Sequence, residues 1–125
     1  MRTIKFKGTC IGIRYGGNIA CGSLVACPDG TIRIFEYGHD GSFNNYRVDP
    51  DTVCQFTGLI DCEGNELFEH DLIHIVGFNY AAELIWSEGC YAFMVVCENK
   101  HSYCLHSVIK ACKIERIVNK FDKEK

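Results

Sequence analysis

The sequence predicts an all-β protein with little helix, and three observations support this prediction. Apolar and polar residues alternate with a period of two at residues 4–7 and 31–37, as they do in half-buried strands. The turn-forming residues Pro28-Asp29-Gly30 separate two apolar runs. Short strands and tight turns then continue through residues 53–119. We therefore predict a small SH3-like barrel in that segment, preceded by an N-terminal β-hairpin or arm.

The N-terminal part contains a predicted hairpin. An apolar run at residues 19–27 and an alternating run at 31–37 are joined by Pro28-Asp29-Gly30, in which Pro fixes one φ angle and Gly allows a positive one. Residues 38–45 are rich in Gly and Asn, which predicts a loop. We accordingly predict two domains: a β arm or hairpin layer at residues 1–47, and a barrel with a short charged C-terminal tail at residues 48–125.

The second part opens at Pro50, which ends any preceding strand pairing and holds Asp49 in an extended conformation. Residues 65–70 are predicted to form one helical or 3₁₀ turn, and residues 106–110 a short helical connector. The remaining apolar segments are predicted strands: 53–59, 72–77, 81–86, 91–97, 102–105 and 112–118.

Composition bounds the class of protein. The chain has 125 residues, of which 47% are hydrophobic and 23% charged, as is usual for globular proteins. No apolar run approaches the roughly 18 residues that span a bilayer, and no secretory signal follows the basic start, so we predict a cytoplasmic protein without a membrane segment. The nine cysteines form no Cys-x-x-Cys pair. We interpret them as reduced thiols that pack like small hydrophobic residues.

Charge is distributed unevenly along the chain. Residues 1–47 carry six Lys or Arg and three acidic residues, whereas residues 48–99 carry ten acidic residues and no Lys or Arg. Residues 100–125 carry seven Lys or Arg and three acidic residues. Opposite potentials of this kind favour pairing within one molecule or head-to-tail association between copies. The sequence therefore predicts a homo-oligomer, or capture of a basic partner by the acidic centre.

Several motifs resemble the YopX family of phage and prophage proteins. The strongest are DPDTVCQFTGL at residues 49–59 and EGNELFEHDLI at 63–73, with further likeness in IKFKG at 4–8 and CGSLV at 21–25. Residues 82–86 and 91–93 match more loosely. The resemblance implies an SH3-like barrel, a phage or prophage origin, a location in the host cytoplasm, and no assigned activity.

The chain departs from the family pattern at four places. Cys54 and His70 stand where the family usually has Gly, and at position 70 that Gly would permit a positive φ before a strand. Residues 18–21 replace a Trp-Val-Tyr segment, and residues 118–122 replace the usual tail. Because of these departures, the resemblance predicts the fold but does not predict a shared surface site at the tail.

Two groups of residues have the chemistry of metal ligands. His70 and His74 form a His-x-x-x-His pair, but Asp71 follows the first His where a zinc protease needs Glu on a helix. A second group comprises Cys97, His101, Cys104 and His106. If Glu98 paired with Tyr103, Cys97 would face Cys104 and a structural zinc could be held. Since the Cys-x-x-Cys knuckle is absent, we predict packed thiols and surface histidines, and no cofactor.

Two charged groups suggest binding rather than catalysis. One is a predicted solvated acidic rim around a single turn, formed by Asp61, Glu63, Glu66, Glu69 and Asp71, whose spacing fits no EF-hand. The other is a basic set near the C-terminus that could contact phosphates, formed by Lys110, Lys113, Arg116, Lys120, Lys123 and Lys125. No phosphate loop and no Gly-x-Ser-x-Gly motif is present.

The sequence thus predicts no catalytic, cofactor-binding or metal-binding residue. We predict a non-enzymatic phage accessory module that works through protein–protein contacts of its acidic central face, with a host or phage protein as partner. The alternative is a nucleic-acid-associated module that uses the basic C-terminal face. A metal-dependent or thiol enzyme is the third class, and a bound ion lost on Cys97→Ser would identify it.

Overall fold

The computed structural model describes residues 3–38, 40–77, 81–98 and 101–121. Within these residues the chain forms eleven strands, one 3₁₀ turn at Pro50–Thr52 and one α-helix, α1, at Leu105–Ala111. The strands are β1 Phe6–Thr9, β2 Ile19–Ala26, β3 Ile32–Tyr37, β4 Phe43–Arg47, β5 Cys54–Ile60, β6 Glu66–Phe68, β7 Asp71–Ile75, β8 Ala81–Ser87, β9 Ala92–Cys97, β10 Ser102–Cys104 and β11 Ile114–Asn119. The prediction of an all-β protein is confirmed.

Two compact units divide the chain. One takes in the described residues up to Phe56 together with Phe121, and the other spans Thr57–Lys120. The predicted boundary between residues 47 and 48 stays a prediction.

The first unit contains an antiparallel sheet with strand order β4-β3-β2-β1, followed by residues 54–56 of β5. Its core side is formed by Cys10, Ala20, Ile34 and Val48, each at most 3% exposed. The hairpin predicted across residues 28–30 is confirmed: the N–H of Cys27 donates to the carbonyl of Thr31, and Gly30 adopts a φ of 88°. Gly therefore supplies the left-handed residue that this turn needs.

The loop predicted at residues 38–45 is wrong in its second half. Phe43–Arg47 forms β4, which pairs with β3 in the register Tyr37↔Phe43 to Arg33↔Arg47. Two Asn residues within this segment hide the strand from a propensity argument, because Asn is depleted in strands. Pairing along the whole length of β3 outweighs that local preference.

The second unit contains an antiparallel sheet with strand order β10-β9-β8-β7-β11. Alternate residues of its central strands are buried, among them Ile73, Leu84 and Val95, each fully inaccessible to solvent. Leu105 of α1 packs on the same core, so the helical connector predicted at residues 106–110 is confirmed. The described strands leave this sheet open, with β10 at one end and β11 at the other. The SH3-like barrel is therefore not confirmed.

Residues 65–70 were predicted to form a helical turn, and this prediction is wrong. Glu66–Phe68 forms β6, which lies beside β5. The hydroxyl of Thr57 on β5 donates to the carbonyl of Leu67, and both residues are buried. The tertiary position of Leu67 in the core, rather than local propensity, thus determines the extended conformation.

The cysteines lie in different environments. Cys10, Cys54 and Cys97 are buried, and Cys10 and Cys97 pack in the two hydrophobic cores as predicted for small apolar residues. The described part of the chain contains no helix long and apolar enough to cross a membrane.

Candidate functional site

The predicted acidic rim around the β5–β6 turn separates into a buried and an exposed part. Asp61 is 5% exposed and Asp71 is fully buried, so the prediction that all five carboxylates are solvated is wrong. Glu63 and Glu66 are exposed, and Glu69 is half-buried. A buried carboxylate requires hydrogen-bond donors, and the donors in this turn come from both nearby and distant parts of the second unit.

Asp61 organises the β5–β6 turn. Its Oδ1 accepts hydrogen bonds from the backbone N–H of Glu63 at 2.9 Å and of Asn65 at 2.7 Å. Its Oδ2 accepts from Asn65 Nδ2 at 3.0 Å and from the backbone N–H of Arg116 at 2.9 Å. Burial by itself would raise the pKa of Asp61, but these hydrogen bonds favour the carboxylate and hold the pKa below its ordinary value of 3.8. Asp61 is therefore ionised and structural at neutral pH.

We expect Asp61 to make stability depend on pH in the acidic range. Because its pKa is lower in the folded than in the unfolded chain, its stabilisation is complete above 3.8 and is lost as the pH falls through the folded-state value. Urea unfolding at a series of acidic pH values measures this loss. Asp61→Asn should be less stable than wild type at neutral pH and should lose less further stability on acidification. An unchanged acid dependence in the variant would contradict the assignment.

Asp71 is the centre of a second polar network. Its Oδ2 accepts from the backbone N–H of Phe68 at 2.8 Å and lies 3.3 Å from Arg116 Nε, while its Oδ1 accepts from Asn119 Nδ2 at 2.8 Å. Asn119 Nδ2 also donates to the carbonyl of Glu69 at 2.9 Å. Sequence reasoning missed Asn119. No local pattern points to it, because its pairing opposite Asp71 joins two strands that lie far apart in the chain.

The two histidines of the predicted His-x-x-x-His pair contact different carboxylates. His70 lies in the turn before β7 with a φ of 66°, which confirms that this position takes the conformation that Gly would permit. Its Nδ1 lies 2.9 Å from Glu83 Oε2. His74, on β7, has its Nδ1 3.7 Å from Glu115 Oε2. The pair is thus engaged in two separate polar contacts.

The register assumed for the Cys97 group is wrong. Cys104 lies opposite Met94, and Ser102 lies opposite Val96, so Cys104 does not face Cys97. Residues 94 and 97 are an odd number apart on β9 and therefore point to opposite faces of the sheet. Cys97 is in the hydrophobic core, and His101 and His106 are exposed. Among the described residues no three His, Cys, Asp or Glu side chains are grouped so that they could hold a metal ion.

A groove of about 600 Å³ lies beside α1 and is lined mainly by apolar groups of Ile75, Tyr103, Val108 and Ala111, together with Cys104 and Cys112. Backbone N–H groups of Ser107 and His106, at the start of α1, lower the pKa of the Cys104 thiol. This groove was not predicted, because it depends on how α1 packs against β9 and β10.

In the fold, one member of the predicted basic C-terminal set is engaged in an ion pair and is therefore less available to a ligand. Arg116 contacts the buried Asp71, so its guanidinium is part of the polar network. Lys110, Lys113 and Lys120 are exposed. Lys123 and Lys125 lie outside the described residues. The described part of this set therefore offers three exposed lysines.

Comparison with protein families identifies a relationship. A family model described as YopX protein matches residues 29–123. The match covers more than half of the chain and includes the motifs at residues 49–59 and 63–73, which confirms the resemblance seen in the sequence. A search of curated proteins finds no match.

Proposed function

The chain belongs to the YopX family, and we propose that it is a non-enzymatic phage or prophage accessory protein that acts by binding another protein in the host cytoplasm. The observation that supports this proposal is the acidic surface of the β5–β6 segment. Asp61 and Asp71 are buried and hydrogen-bonded within the fold. Glu63 and Glu66 of the same segment are exposed, and Glu69 is half-buried. They lie in a 52-residue segment with no Lys or Arg, residues 48–99. A partner with a basic surface would complement this potential.

We further propose that the protein self-associates through the outer face of the five-stranded sheet. The register places Leu72 opposite Glu83 and Ile85 opposite Met94 on the face that points away from the core. Val96 and Val118 share this face. A sheet face with several half-buried apolar side chains favours burial against another surface. Native mass spectrometry of the untagged protein measures the oligomeric state directly.

An SH3-like barrel is the finer fold that we propose for the second unit. The supporting observation is the chain path: β7 to β10 form a meander, α1 connects them to β11, and β11 returns to pair with β7. Closure of the sheet into a barrel is the part that this proposal adds.

The acidic-surface proposal is tested by capture from phage-infected cells. Wild-type protein and the variant Glu63→Gln/Glu66→Gln/Glu69→Gln are used as baits, and captured proteins are quantified by mass spectrometry. We expect the variant to lose its main partner by about tenfold or more, because each lost carboxylate weakens a complementary charge contact. The control bait is Glu88→Gln/Glu98→Gln, which removes exposed carboxylates from turns elsewhere in the second unit. Equal capture by all three baits would overturn the proposal.

A further inference from the structure

The first unit has a sheet face that the core does not use. The registers of β2 with β3 and of β3 with β4 place alternate residues of the three strands on this face. We call it the aromatic face; it comprises Ser23, Val25, Arg33, Phe35, Tyr37, Phe43, Asn45 and Arg47. The intervening residues point to the other side, where Ile34 is fully buried. The aromatic face is therefore the solvent side of the sheet.

Three aromatic rings lie next to one another on this face. The ring centroids of Tyr37 and Phe43 are 4.8 Å apart, and those of Phe35 and Phe43 are 5.2 Å apart. Tyr37 is 82% exposed and Phe43 is 52% exposed. A contiguous group of exposed rings is unfavourable in water and commonly marks a binding surface. None of the three rings belongs to the hydrophobic cluster around Ile34, so an external ligand could contact them.

The charged residues of the aromatic face are both cations. Arg33 and Arg47 lie directly opposite each other on β3 and β4. Like charges at such a position repel, and an anion between them would relieve the repulsion. Arg33 Nη1 donates to Asn45 Oδ1 at 3.0 Å, which holds the guanidinium on the face. None of the eight residues is acidic.

Two carboxylates of the flanking turns are hydrogen-bonded within those turns; hydrogen bonds from Thr31 lower the pKa of Asp29, and the charge of Arg33 lowers it further. Asp29 Oδ1 accepts from the N–H of Thr31 at 2.9 Å, and Asp40 Oδ1 accepts from the N–H of Ser42 at 2.9 Å. The aromatic face thus combines three aromatic rings with two arginines, and none of its residues is acidic.

We propose that the aromatic face binds single-stranded nucleic acid, an activity separate from the protein binding proposed above. Bases stack on exposed aromatic rings of a sheet, while Arg side chains beside them neutralise phosphates. Tyr37 and Phe43 supply the stacking surface, and Arg33 and Arg47 supply the phosphate contacts. A duplex would not fit this chemistry, because its bases are already stacked and paired. A second copy of the chain would bring two more arginines against the Arg33–Arg47 pair.

The test is fluorescence anisotropy with labelled oligo-dT and oligo-U of about twelve nucleotides, a length typical of such sites. We expect wild-type protein to bind at least one of the two, with affinity that falls as salt rises. Tyr37→Ala/Phe43→Ala should weaken binding by about tenfold or more, since each stacked base contributes substantially. Arg47→Gln should reduce the salt slope by about 0.7, the value for one phosphate of a single strand. Comparison of the two oligonucleotides distinguishes RNA from DNA.

Tyr91→Ala is the matched control, because Tyr91 is an 81% exposed aromatic residue of the second unit. It should bind like wild type, and thermal unfolding should show that all variants fold. Arg47→Gln leaves every ring in place, so its effect on the salt slope is informative even if the double variant is unstable. The proposal is overturned if neither oligonucleotide binds, or if a labelled duplex binds as tightly. It is equally overturned if the rings instead mediate a dimer that Tyr37→Ala/Phe43→Ala dissociates.

Discussion

Asp71→Ala should lower the free energy of unfolding by about 3–5 kcal/mol, the usual result of removing one partner from a buried ion pair. The carboxylate is fully buried and accepts from Phe68 N–H and Asn119 Nδ2, with Arg116 Nε at 3.3 Å. Alanine would remove the acceptor that these three donors share and would leave the Arg116 guanidinium without this counter-charge. Urea unfolding monitored by circular dichroism measures the loss.

Asp71→Asn is the control for shape. It keeps the size of the side chain and one acceptor oxygen, so it should lose about half as much stability as Asp71→Ala. Arg116→Met leaves the buried Asp71 carboxylate without this cation, so it should destabilise the protein by an amount comparable to that of Asp71→Ala. If the free energy of unfolding of Asp71→Ala were within about 1 kcal/mol of the wild-type value, the network would not have the structural role that its geometry indicates.

Gly22→Ala should lower the free energy of unfolding of the first unit by about 3 kcal/mol, at the upper end of the usual range for overpacking. A Cβ at this position would overlap the carbonyl oxygen of Phe35 and lie 3.0 Å from its carbonyl carbon. Both atoms are backbone, so no side-chain rotation can relieve the overlap. The strand β3 would have to move away from β2, which would weaken the pairing of Ser23 with Phe35.

Gly89→Ala is the matched control. Its nearest atom to an added Cβ is Ser87 Oγ at 3.9 Å, an ordinary contact. It should change stability by less than about 0.5 kcal/mol, as surface substitutions usually do. Equal effects of the two substitutions would mean that loss of glycine flexibility, rather than the approach of β2 to β3, determines the result at Gly22.

The sequence predicted the structural elements that depend on residues close together in the chain, such as turns and single strands. Pro28 has a fixed φ and Gly30 takes the positive φ of this turn, so the β2–β3 hairpin followed from sequence. The apolar segments that predicted strands at residues 72–77 and 81–86 reflect burial in a sheet, and β7 and β8 lie there. The conformation of His70 followed from the position of Gly in related sequences.

The features that sequence did not predict depend on residues far apart in the chain. Asp61 and Asp71 looked like surface carboxylates because their donors on β11 lie 55 and 48 residues away. The placement of Cys104 opposite Met94 depends on a turn whose length sets the register of β9 and β10. The aromatic face required β4, and Phe43 was assigned to a loop because its Asn neighbours disfavour strands.

The pairing of β11 with β7 also matters while the protein is being made. At usual rates of synthesis, residue 116 leaves the ribosome on the order of several seconds after residue 61. During that interval the nascent chain carries first Asp61, and then Asp71 and β7, without the β11 residues that pair with them. An open strand edge readily pairs with another chain. Newly translated chains therefore depend on β11 to cover the edge of β7, and a chain that ends before residue 114 would keep this edge open to other chains.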